Sequence, residues 1–129
     1  MRASIVFLSC ALVSTGILTT VPFVARAAEE PVTVTSRFYA APGREAEVES
    51  RFLKIVEFVR KAEPNITYRL YRSNKDPSVF LFFEVYPTQS AFDEHVKVTL
   101  PEVRKEFGPP AEGLFTRPAE TDLFRRLAD

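Results

Sequence analysis

The chain has 129 residues, one domain's worth, with 17 Lys and Arg balanced by 17 Asp and Glu. That balance leaves no electrostatic footprint for nucleic acid or for an anionic membrane surface. A single cysteine and a single histidine exclude a disulfide framework and any metal cluster at ligand spacing.

The N-terminus reads as an export signal. Met1-Arg2 opens with positive charge, and no charged residue follows from Ile5 to Ala25. Ala25-Arg26-Ala27 then fits the small-x-small pattern of signal peptidase, so residues 1–27 are expected to be removed after Ala27. The alternative, a retained anchor, needs an uninterrupted apolar span. Here the run is diluted by Ser9, Ser14, Thr15, Gly16, Thr19 and Thr20 and broken at Pro22. Cys10 lies too early in the run for lipid attachment, and without twin arginines the Sec route is expected. The destination is the periplasm or the medium, with no stable membrane anchor. Losing Arg2 and Arg26 leaves 15 basic against 17 acidic residues, a net charge of −2, and no cysteine in the remaining 102 residues.

After a linker at 28–31, the domain is expected over 32–127. Val32 to Tyr39 is rich in β-branched residues and reads as the first strand. Pro42-Gly43 ends it. Val48, Phe52, Ile55, Val56 and Val59 recur at helical spacing and predict an amphipathic helix closed by Pro64. Ile66 to Arg72 is the second strand, and Ser73 to Ser78 a turn by composition. The third strand, Val79 to Tyr86, is apolar at both parities apart from Glu84, which requires burial on both faces. Thr88 is a candidate N-cap for a helix through Ala91, Phe92, His95 and Val96. A second helical piece is expected from Pro101 to Phe107, then a loop over Phe115 to Thr121, and a fourth strand from Asp122 to Leu127.

The order β-α-β-β-α-β is the α+β, ferredoxin-like pattern: a four-stranded antiparallel sheet with helices on one face. The apolar second face of the third strand then needs a cover. A second copy of the sheet supplies one, so a homodimer is expected, and it offsets the small core of a domain this size.

The residues themselves resemble a known family. Asn65-Ile66-Thr67-Tyr68 leads through Asp76-Pro77 to Phe82-Phe83-Glu84-Val85-Tyr86, followed by Ser90-Ala91-Phe92 and His95. This is similar to the antibiotic biosynthesis monooxygenase domain family, and Asp122 to Leu127 resembles the end of relatives that process small signalling sugars. The resemblance covers Val32 to Leu127. It implies a dimeric α+β barrel with one small apolar pocket per subunit. It also implies activities such as cofactor-free oxygenation of quinols and polycyclic phenols, haem degradation, or isomerisation of small phosphorylated sugars. Members often carry a second histidine beyond the first, where this chain has Thr99-Leu100-Pro101. The haem-degrading branch uses an Asn on the first strand and a Trp at the position of Tyr86. This chain has neither, which argues against haem.

The other chemical devices are absent. Gly43, Gly108 and Gly113 are too scattered for a phosphate loop, and no serine stands in a nucleophile elbow. A cofactor-free oxygenase needs a base, a partner for the phenolate and a dry pocket. Imidazole titrates near neutrality, so His95 is the candidate base, with Tyr86 and Glu84 beside it as catalytic candidates. Asn65, Tyr68, Phe82 and Phe92 are the candidate substrate contacts, for a small aromatic or quinone-like molecule. No metal and no cofactor are called for. Each residue also has a plainer reading: His95 as a hydrogen-bonded helix residue, and the tyrosines as core or interface aromatics. Glu84, a carboxylate in an apolar strand, must be paired or protonated, with Arg69 or His95 as partner. Arg125-Arg126 reads as a solvated edge, and Asn65-Ile66-Thr67 as a sequon relevant only in a glycosylating host. Two other functions fit the same residues: a non-catalytic dimeric module that binds a small ligand, and an enolising isomerase or lyase in which His95 shuttles a proton.

Overall fold

The computed structural model describes residues 29–128; the proposed signal and its cleavage point lie outside them. The elements are β1 (Val32–Tyr39), α1 (Glu45–Ala62), β2 (Thr67–Arg72), β3 (Val79–Tyr86), α2 (Gln89–Glu94), a π turn (His95–Thr99), α3 (Leu100–Phe107) and β4 (Glu120–Phe124). The strands form one sheet in the order β2-β3-β1-β4, with every neighbouring pair antiparallel. This is the expected ferredoxin-like arrangement.

Helix α1 follows its sequence pattern closely. Val48, Phe52, Ile55, Val56 and Val59 are its buried residues, while Glu45 and Glu47 occupy the first turn and Arg60 and Lys61 the last. That distribution opposes the helix dipole. A glycine turn at Gly43, φ 78°, feeds the helix, and Pro64 prevents its continuation. The α1 stripe packs with Val103 of α3 onto Tyr68, Phe80 and Phe82 of the sheet. Phe52 is the hub of this core: its ring lies 4.8 Å from Phe38, 4.9 Å from Phe82, 5.9 Å from Phe80 and 5.8 Å from Phe115.

Strand β3 alternates strictly. Phe80, Phe82, Glu84 and Tyr86 are buried beneath the helices, while Val79, Leu81, Phe83 and Val85 on the other face are half-buried. The sequence called for cover on both faces; a single chain covers only one.

Three boundaries differ from expectation. Strand β2 starts at Thr67, one residue late. The two helical pieces after β3 are not separated, because the π turn joins α2 to α3 without a break. Strand β4 starts two residues earlier and ends three residues earlier than expected, since Glu120 and Thr121 pair with Arg37 and Ser36 of β1. Arg125 to Leu127 lie beyond it. The apolar residues Leu123, Phe124 and Leu127 suggested the later window, but the side-chain partners of Glu120 and Thr121 fix the register. Among the described residues no helix is long and apolar enough to cross a membrane.

Candidate functional site

Between the helices and the inner sheet face lies a cavity of about 430 Å³. Val34, Ser36 and Phe38 of β1, Phe82 and Glu84 of β3, and Tyr68 of β2 form its floor, and Phe52, Phe92, His95 and Leu100 are among its helical walls. A depression on the opposite sheet face, lined by Arg37, Tyr39, Tyr71 and Leu81, holds no acid–base pair. His95, Glu84 and Tyr68 all line the first.

His95 is placed by two local devices. The Thr88 hydroxyl accepts a hydrogen bond from the Ala91 N–H at 3.0 Å, which starts α2. The π turn then begins at His95, whose carbonyl accepts from the Leu100 N–H; such turns recur at functional positions. The imidazole is 2% exposed. Its Nδ1 lies 2.6 Å from Oε2 of Glu63, the residue that closes α1. A carboxylate at Nδ1 holds the proton there and leaves Nε2 as the acceptor. The rings of Tyr86 and Tyr68, 5.2 and 5.7 Å away, fix the imidazole plane.

Glu84 is 6% exposed. Opposite it in the sheet stand Tyr68 and Val34, and the Tyr86 hydroxyl donates to its Oε2 at 2.5 Å. Neither partner expected from the sequence pairs with it. Arg69 is registered opposite Phe83, so parity sends it to the other face, and His95 is taken by Glu63. Burial raises the Glu84 carboxyl above its usual range, with the Glu63 charge adding to the rise and the Tyr86 hydrogen bond opposing it. The Tyr68 and Tyr86 hydroxyls are both pushed upward, chiefly by burial and by the charge of Glu84, so both are neutral hydrogen-bond donors at physiological pH.

A carboxyl raised by folding gives stability that is present at low pH and lost as pH climbs from its unfolded value through its folded one. Glu84→Gln keeps an acceptor for Tyr86 and removes this cost. Its melting temperature is expected to exceed that of the native protein by a few degrees at pH 8 and to match it at pH 4, measured by thermal denaturation followed by circular dichroism. An equal gap at both pH values would show that Glu84 does not carry the shift.

Three polar atoms of this end of the cavity have no partner within the described residues: Nε2 of His95, the Tyr68 hydroxyl and Oε1 of Glu84. No sealed-in side-chain polar atom among those residues lacks a partner, so these three keep access to the cavity. An acceptor, a phenol donor and a carboxyl therefore meet at one end of an aromatic-walled chamber. That set can take a proton from a bound hydroxyl group and hydrogen-bond the resulting anion.

Of the residues singled out from sequence, Tyr68, Phe82, Glu84, Phe92 and His95 line the cavity together. Tyr86 does not: it is fully buried behind them and supports Glu84, His95 and Phe92. Asn65 sits on the exposed turn before β2, outside the cavity. Glu63 was not a candidate. Its sequence signal is faint, an acidic residue just before Pro64, and 32 residues separate it from its partner.

The fold and this chamber define a small ferredoxin-like domain with an acid–base pair set in an aromatic cavity. The family model for antibiotic biosynthesis monooxygenase matches residues 31–100, more than half of the 129-residue chain, and the chain belongs to that family. It is 25% identical over 100 residues to the Synechocystis protein sll1783, covering 78% of this chain and 66% of that protein. Among solved structures it is similar to PA3566 of Pseudomonas aeruginosa, with TM-score 0.65, 24% identity, and coverage of 78% of this chain and 98% of that one. It is also similar to Rv0793 of Mycobacterium tuberculosis, with TM-score 0.61, 25% identity, and coverage of 77% and 97%.

Proposed function

We propose that this protein is an exported, homodimeric monooxygenase of its family that oxidises a small quinol or phenol using electrons from the substrate itself. The observation that carries the reading is the Glu63-oriented His95 lining an aromatic cavity, with its Nε2 unpartnered among the described residues. A phenol bound at this end gives its proton to Nε2, and Tyr68 hydrogen-bonds the phenolate oxygen. Deprotonation makes the ring electron-rich enough to react with dioxygen. One oxygen atom is added to the ring carbon, the C–H bond there is broken, and the other oxygen leaves as water. The phenol becomes a quinone, so the ring supplies the electrons and no further reductant enters the balance. The phenylalanine walls exclude water that would quench the intermediate.

Export rests on residues 1–27. The dimer rests on the half-covered row Val79, Leu81, Phe83 and Val85, continued by exposed Tyr71 and Phe124. Sedimentation equilibrium of the domain at micromolar concentration should give twice the chain mass; a monomer would leave that row without its cover.

The functional test is oxygen consumption by the purified domain with a panel of quinols and polyphenols, without added metal or flavin. Uptake that requires His95 establishes the oxygenase. Ligand binding with no uptake across the panel would make the protein a binding module instead.

A further inference from the structure

The cavity has two chemically different ends. Glu63 and Arg51 are twelve residues apart on α1, about 18 Å along a helix axis. His95 and Arg104 are nine residues apart across the π turn and α3, about 13 Å at helical rise. Both separations run the same way, because Glu63 bonds His95 while Arg51 reaches the end of α3. Its Nη1 and Nη2 donate to the carbonyls of Phe107 and Gly108 at 3.0 and 2.6 Å. Arg51 and Arg104 both line the cavity. They form a cationic end opposite the acid–base end of a cavity walled by Phe38, Phe52, Phe82 and Phe115.

Neither arginine forms a salt bridge among the described residues. Arg51 spends two of its five N–H donors on uncharged carbonyls, and the nearby Glu47 is engaged by Arg44 at 2.6 Å. The Arg104 guanidinium has no partner among the described residues. Glu84, at the far end, is the only carboxylate among the described residues that line the cavity. We infer that the ligand is an amphipathic aromatic acid: a ring body whose hydroxyl meets His95 and whose carboxylate, or similar anionic group, lies between Arg51 and Arg104. This rests on the reading of the cavity as a phenol site and narrows its substrate class.

The test uses calorimetric titration of the purified protein with two probes of one shape, 4-phenylphenol and 4′-hydroxybiphenyl-4-carboxylate. The second places its carboxylate at the opposite end of the two-ring body from the phenol. It is expected to bind about tenfold more tightly, the worth of a charge-assisted hydrogen bond, with an advantage that shrinks as salt is raised. Arg104→Gln should bring the ratio of the two affinities to about one, and Arg104→Glu should invert it. Circular dichroism melts check that both variants are folded. Arg51→Lys, which keeps charge but loses the fork, should reduce the ratio in between. If 4-phenylphenol binds and the carboxylate gains nothing, the anionic end is wrong while the phenol site stands. If neither probe binds, the phenol site falls and this inference with it.

Discussion

Replacing His95 with alanine is expected to lower the turnover number for oxygen uptake by about 10²–10⁴-fold, the range for loss of a positioned general base. In the proposed mechanism the imidazole takes the proton, because it lines the cavity and Glu63 holds its Nδ1. Tyr68 is held protonated by burial and by the charges of Glu84 and Glu63, so it cannot replace the imidazole as base, and activity that survives the substitution would fall to Glu84. Glu63 acts at one remove. It touches His95 at Nδ1 and does not line the cavity, so it is a positioning residue. Glu63→Ala should lower kcat by about 10–100-fold, as loss of a carboxylate behind an imidazole does elsewhere, with KM nearly unchanged. A purely structural role would instead show as a lower melting temperature with the kcat of the folded fraction intact. Steady-state oxygen-electrode kinetics on the two variants separate these outcomes, and uptake unaffected by His95→Ala would remove the histidine from the mechanism.

The largest expected loss of stability is at Phe52. Its ring touches four other phenylalanines, and truncating a buried Phe to Ala costs about 3–5 kcal/mol. The cost should fall at the upper end, because the void merges with an existing cavity and cannot collapse. A domain of this size has about 5–15 kcal/mol in all, so Phe52→Ala should lower the melting temperature by well over 10 °C, at ~4–8 °C per kcal/mol. Leu53, the next residue, is 54% exposed, and its alanine variant should stay within about 0.5 kcal/mol of the native protein. Urea denaturation of the pair measures both. A small effect at Phe52 would mean that the aromatic cluster is loosely packed.

The fold was legible in the sequence because two periodicities are unusually clean. The stripe from Val48 to Val59 and the doubly apolar run from Val79 to Tyr86 each admit one reading. Where side chains rather than hydrophobicity set the boundary, the reading slipped. Strand β4 is held by a 3.1 Å hydroxyl contact between Thr121 and Ser36 and by Glu120, which accepts from Tyr39 at 2.7 Å and faces Arg37. All five β4 residues are exposed, so no apolar alternation marks it. The site divides in the same way. His95 and Glu84 stand out as a lone histidine and a carboxylate in an apolar strand. The partner of Glu84 depended on register, which moved Arg69 to the other face. Glu63 became visible only when the end of α1 met the π turn, a meeting that no local pattern encodes.

The position of β1 bears on how the molecule comes together. The first strand in the chain is an inner strand of the sheet, flanked by β3 and β4, so its hydrogen bonds wait on segments that follow about 50 and about 90 residues later. Long-range pairings of this kind close large loops before they gain contacts, and they slow folding relative to helical domains. The cavity inherits that order. Its floor joins Val34 and Ser36 to Phe82, Glu84 and Thr121, so although the acid–base residues all lie between Glu63 and His95, the cavity around them is complete only when the last strand has paired.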